Sequence, residues 1–109
     1  MKRVICSLML LQAAVPAHSA GWTPELTVES AFTEGATDQL IIYTSGGATY
    51  TSGCAANSWV FTADTDPRRA RAYATVLAAL VSGQKIKFWY ADSCSTWTYH
   101  QATSVALVK

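Results

Sequence analysis

The sequence predicts a mainly β domain of five or six strands that carries one α-helix before its penultimate strand. Three observations predict it. Apolar and polar residues alternate with period two in short runs, clearest at residues 25–32 and 84–90. One stretch, residues 67–82, has helical spacing between a start signal and a glycine stop. Glycine, serine and asparagine punctuate the rest at short intervals, which suits tight connections between strands.

Residues 1–20 read as a secretory signal. Lys2 and Arg3 provide the positive start, and residues 4–16 form an apolar run containing Leu8, Leu10 and Leu11. That run is too short to span a bilayer as a stable helix. Small residues follow at Ala17, Ser19 and Ala20, and cleavage after any of the three fits. Cys6 lies near the start of the apolar run rather than after it, which argues against a lipid anchor. The expectation is one exported domain, residues 21–109, secreted or periplasmic and without membrane insertion.

Removal of the leader changes the arithmetic of cysteines and charge. Of three cysteines, Cys54 and Cys94 remain, an even number in an export route where disulfides persist. One intramolecular bridge is the simplest reading; an intermolecular bridge or two free thiols are the alternatives. The bridge would stabilise this small domain by about 4 kcal/mol in the chain-entropy account. Of eight basic residues, Lys2 and Arg3 leave, so six face seven acidic ones. Binding to nucleic acid draws most of its affinity from neutralised phosphates, and this balance argues against it.

Element by element, residues 25–32 place Leu26, Val28 and Ser30 on one face and Thr27, Glu29 and Ala31 on the other. Residues 38–44 form a second strand through Leu40, Ile41, Ile42 and Tyr43. Ser45-Gly46-Gly47 reads as a hairpin turn that returns as a third strand at 48–51. Residues 52–57 form a loop around Cys54, and 58–63 a strand around Trp59, Val60 and Phe61. Residues 84–90 form a strand with Ile86, Phe88 and Tyr90 inward and Trp89 among lysines outward. Residues 91–101 read as a loop and 103–108 as the closing strand.

In the helix, Asp66 is placed to cap the first amides, Pro67 suits the first helical position, and Gly83 ends it in a left-handed conformation. Ala70, Tyr73, Ala74, Leu77, Leu80 and Val81 share the face expected against the sheet. The opposite face carries Arg68, Arg71, Ala72, Thr75, Ala79 and Ser82. Its small centre fits either a solvated face that uses alanine for propensity or close contact with another copy. The second reading makes Arg68, Arg71, Ala72, Thr75 and Ala79 a candidate oligomer interface. Asp64 and Asp66 offset the arginines near the positive end of the helix dipole.

This succession of elements resembles the five-stranded OB-like Greek-key barrel, with its helix between the third and fourth barrel strands. Within that fold, the segment "RRARAYATVLAALVSGQKIKFWYADSC…TSVALVK" looks like the B subunits of one-A-five-B toxins of the subtilase-cytotoxin, Shiga and cholera types. It is also similar to small exported bacterial proteins with a Cys, Trp-Val-Phe, helix, Gly, Lys pattern, here Cys54, Trp59, Val60, Phe61, Gly83 and Lys85. The resemblance covers roughly residues 54–109. It implies a pentameric ring that binds a cell-surface glycan and an A-type toxin subunit. In cholera-type subunits a tryptophan shortly after the matching cysteine stacks on sugar, and Trp97 is its nearest counterpart. Those subunits tie that cysteine to one near the mature N-terminus, whereas here the partner would be Cys54.

Sugar recognition needs a flat apolar surface for ring C–H groups with hydroxyl partners beside it. Trp97, Tyr99, His100, Ser95 and Thr96 supply both kinds in one loop, and Trp89 offers a second platform. A packing role for Trp97, covering the disulfide, is the competing reading; Trp22 and Trp59 read as packing residues. His100 is the only histidine after the leader and has no nucleophile or second base in pattern with it, so no catalysis is expected. The two cysteines lack metal spacing, and no phosphate-binding loop occurs, so neither metal nor cofactor is expected. Two functions follow: a glycan-binding oligomer, or a monomeric secreted or periplasmic inhibitor or protein-interaction module.

Overall fold

The structure, a computed structural model, describes residues 20–35, 39–62, 65–95 and 97–109. The leader through residue 19, with Cys6 and His18, lies outside them, as do Asp38, Ala63, Asp64 and Thr96. Strands β1 (Gly21–Trp22), β2 (Thr27–Thr33), β3 (Leu40–Ser45), β4 (Ala55–Phe61), β5 (Lys85–Cys94) and β6 (Tyr99–Val108) form one sheet. Its order is β1-β5-β6-β4-β3-β2, with helix α1 (Asp66–Ser82) between β4 and β5 in the chain. The domain is therefore mainly β, with its helix before the penultimate strand, as the sequence predicts.

Neighbouring strands pair antiparallel except β4 and β6, which run parallel. Parallel neighbours require a crossover, and α1 with β5 supplies it. The sheet also curls until its ends meet. Leu26, just before β2, exchanges both backbone hydrogen bonds with Ile86 of β5, at 2.8 and 2.9 Å. Upstream, Gly21 and Trp22 face Tyr90 and Trp89. Pro24 has no N–H to offer a ladder. Thr23 bridges that gap: its N–H donates to the Phe88 carbonyl, and its hydroxyl accepts the Phe88 N–H at 3.1 Å.

Inside the curl lie Leu26, Val28, Leu40, Ile42, Trp59, Phe61, Ile86, Phe88 and Ala102, all buried. Each large apolar side chain buried here contributes roughly 1.5–3 kcal/mol. Trp59 sits at the centre, 4.5 Å from the Phe88 ring, with Nε1 donating to the Thr44 hydroxyl at 3.2 Å. Because β3, β4 and β5 already fill the interior with large groups, the helix can approach only through small ones. Ala72, Val76 and Ala79 are its buried residues.

This reverses the expected orientation of the helix. Tyr73, Leu77, Leu80 and Val81 are exposed, Val81 at 80%. Ala72 and Ala79, expected outward in a contact with another copy, are covered by the protein's own sheet. The cap also differs. Thr65 is the N-cap, its hydroxyl accepting the Arg68 N–H at 3.3 Å, while Asp66 is the first helical residue and pairs with Arg69. Gly83 ends the helix at φ 79°, its N–H donating to the Ala79 carbonyl, as expected.

Two further differences have local causes. A bulge between Val28 and Ser30 shifts the alternation, so Ser30 is exposed and Ala31 packs on the core. Residues 48–51 are not a strand, because β3 pairs instead with residues 58–61 of β4. Gly46 takes the left-handed turn at φ 78°, but Gly47 is needed for closeness. A Cβ there would stand 2.8 Å from Asn57 Oδ1, which accepts the Gly47 N–H. The 91–101 loop contracts to a turn at residues 95–98, since β5 extends to Cys94 and β6 begins at Tyr99.

The helix orientation is open to test by denaturant unfolding. Ala79→Leu or Ala72→Leu should cost about 1–3 kcal/mol, because the sheet leaves no room for the added groups. Leu77→Ala should change stability by only about 0.5 kcal/mol or less. The opposite ranking would mean that the helix packs through its large residues.

Candidate functional site

The face of β3 that carries Leu40, Ile42 and Thr44 looks inward, so Ile41 and Tyr43 look outward. Register then gathers an aromatic band. Phe32 of β2 stands opposite Ile41, and its ring lies 6.2 Å from Tyr43. Tyr43 lies 5.9 Å from Tyr99 at the start of β6, and Tyr99 lies 6.0 Å from Trp97. Together with Glu34 these residues line a groove of about 240 Å³ floored by Ile41. Phe32 is 44% exposed and Trp97 39%. The Tyr43 and Tyr99 hydroxyls are 2.9 Å apart. That hydrogen bond, with burial, raises the Tyr43 phenol above its ordinary pKa.

The turn that presents Trp97 is held on both sides. Ser95 N–H donates to the Tyr99 carbonyl at 2.8 Å, and Thr98 N–H donates to the Ser95 carbonyl at 3.0 Å. Thr98 adopts φ 60°, a left-handed conformation that costs a β-branched residue about 1–2 kcal/mol. Its carbonyl in return accepts the Ala55 N–H at 2.7 Å. The Cys54–Cys94 disulfide, with Cα atoms 5.5 Å apart, ties the residues immediately before Ala55 and Ser95. Gln101 Nε2 adds bonds to the Ser93 hydroxyl and the Cys94 carbonyl. Trp97 therefore stands on a clamped base.

Of the residues singled out for binding, the structure brings Trp97 and Tyr99 together and separates the other two. Trp89 pairs edge-on with Trp22 at 5.6 Å, on β5 and β1, with β6 and β4 between it and β3. Ser95 serves the turn, and Thr96 is outside the described residues.

His100 is not a surface ligand but a core residue, fully buried. Strand alternation turns it inward from Tyr99 and Gln101. Its ring stacks on Trp59 at 4.6 Å. Nε2 accepts the Tyr50 N–H at 3.0 Å, so the ring proton is on Nδ1, which donates to the Ser58 carbonyl at 3.3 Å. Burial lowers its pKa, partly offset by the carbonyls of Ser58 and Ala55.

Phe32, Glu34 and Tyr43 escaped the sequence reading. The signal was present in the alternation of β3, which places Tyr43 opposite in sense to Ile42. It could not be used without the pairing register, and the bulge before Ser30 obscures which way Phe32 points. Among the described residues, no group of three or more His, Cys, Asp or Glu side chains could hold a metal ion. No protein-family model matches the chain, and no curated protein is significantly similar to it.

The His100 environment sets a pH dependence. As pH falls below about 6.5 the unfolded imidazole takes up a proton that the folded one refuses. The unfolded state then binds more protons, so stability rises with pH in this window. It is fully present above about pH 6.5 and declines as pH falls towards the lower folded pKa. Denaturant midpoints measured between about pH 7.5 and 5.5 should show this slope, and His100→Phe should flatten it. A slope unchanged in that variant would place the titration elsewhere.

Proposed function

We propose that this protein is a secreted, non-enzymatic binding protein that recognises a glycan through the groove of Phe32, Tyr43, Trp97 and Tyr99. The observation that carries the reading is the aromatic band itself. Exposed rings cluster beside two phenol hydroxyls and the Glu34 carboxylate. Sugar C–H faces stack on such rings, while hydroxyls and carboxylates hold ring hydroxyl groups. At about 240 Å³ the groove has room for a single sugar ring rather than a drug-sized ligand. Trp97 is 39% exposed, which leaves part of its ring open to a ligand.

The finer fold assignment belongs to the same proposal: an OB-like Greek-key barrel. The parallel β4–β6 pairing, the helix before the penultimate strand and the Leu26–Ile86 bridge between the sheet's ends support it. In that fold the outer face of the second and third strands, with two flanking loops, is where ligands bind. A groove on β3, flanked by Glu34 and by the turn before β6, is consistent with such a face. The disulfide suits an oxidising compartment, in keeping with export. No helix among the described residues is long and apolar enough to cross a membrane. His100 has both ring nitrogens committed to backbone groups, which leaves it unsuited to proton transfer with a ligand.

The oligomer reading moves to the other side of the helix. A second copy would cover Tyr73, Leu77 and Val81, an apolar strip that the described residues leave partly exposed. The assembly of five copies with an A-type toxin subunit extends this proposal and rests on the sequence resemblance.

A glycan array on the mature protein tests the binding function. Binding should fall at least about tenfold in Trp97→Ala and in Phe32→Ala while Trp89→Ala retains it. Absence of glycan binding, with a monomer by light scattering, would overturn the reading and leave the inhibitor or interaction module. If copies associate through the helix, Leu77→Glu should yield folded monomers by light scattering, with a thermal midpoint that no longer depends on protein concentration.

A further inference from the structure

A second pocket, of about 220 Å³, opens on the helix side between α1 and the C-terminal half of β6. Arg68, Arg71, Thr75 and Ser104 rim it, over Phe61 and Val105. None of the described residues that line it is acidic. Arg68 and Arg71 are one turn apart and so share this side of the helix. The Asp66 carboxylate is directed elsewhere, paired with Arg69 beside a separate pocket that includes Leu40 and Tyr73. Arg68 Nη2 donates to the Thr103 carbonyl at 3.1 Å, which holds that guanidinium over β6. Among the described residues no hydrogen bond or ion pair engages the Arg71 guanidinium. The Thr75 hydroxyl spends its proton on the Arg71 carbonyl at 3.1 Å, which leaves Ser104 as the hydroxyl donor of the rim.

We propose that this pocket is an oxoanion site. It takes a sulfate, phosphate or carboxylate group, gripped by the planar N–H fork of Arg71, with Arg68 and the Ser104 hydroxyl completing the donors. Two guanidiniums and a hydroxyl around an apolar floor match such a group in charge and hydrogen-bonding sense. The site is separate from the aromatic groove and does not rest on glycan recognition. Its anion is either free in solution or an acidic group on a larger molecule.

Titration of the mature protein with inorganic sulfate and phosphate at low ionic strength, followed by amide chemical shifts, tests the site. Saturable shifts are expected at Arg71, Thr75 and Ser104. Affinity should drop at least about tenfold in Arg71→Gln and less in Arg71→Lys, and stay unchanged in Arg69→Gln. A sulfated monosaccharide and its unsulfated form run in parallel. Tighter, Arg71-dependent binding of the sulfated sugar assigns the anion to a larger ligand; binding no tighter than inorganic sulfate assigns it to the free ion. No saturation, or equal losses in Arg71→Gln and Arg69→Gln with both variants folded, would overturn the proposal.

Discussion

The rest of the structure depends on a neutral imidazole at its centre. His100 lies against Trp59 and bridges two backbone groups, the Ser58 carbonyl in β4 and the Tyr50 N–H, which lies outside any strand. A buried unpaired backbone group costs about 1–3 kcal/mol, and the ring removes that penalty at the Tyr50 N–H. It also ties the irregular segment between β3 and β4 to the central parallel pair. Tyr50 stacks on Tyr90 at 5.4 Å and lies 6.0 Å from Trp59, so the same contact closes one end of the curled sheet.

The aromatic groove is the outer surface of the same strands. Each alternates a core residue with a surface one: Ile42 with Tyr43, Trp59 with Ser58, His100 with Tyr99. A rigid interior therefore fixes the rings outside it. Where the strands end, the disulfide, the Gln101 bonds and the strained Thr98 take over. Backbone strain at a turn persists only when its surroundings determine it more than once, and here the Ala55 hydrogen bond and the Cys54–Cys94 link both do.

Much of the fold was legible because its signals are local. Pro67 and Gly83 bracket the helix, and alternation marks Ile86 and Phe88 as inward. What failed depends on distant groups. The helix was read as packing through Tyr73, Leu77 and Leu80 because size predicts burial in isolation. The space beneath it had already been taken by Trp59, Phe61 and Phe88, contributed from elsewhere in the chain. His100 looked like a loop residue because the strand containing it begins one residue earlier, at Tyr99. Half of the aromatic groove was visible as Trp97 and Tyr99, which are close in sequence. The other half, Phe32 and Tyr43, arrives through register.

The parallel pairing of β4 with β6 has a consequence for the order in which this chain can assemble. β2, β3 and β4 can zip as a meander as soon as they exist, but the free edge of β4 waits for the ten residues of β6. The N-terminal segment waits as well, since β1 and Leu26 bond to β5. Both ends of the sheet thus close late and through non-local contacts, a topology that folds in milliseconds to seconds rather than microseconds. Until then Val60, buried in the finished sheet, lies on an open edge strand. The chain's period of greatest exposure to wrong partners falls before its last strand docks.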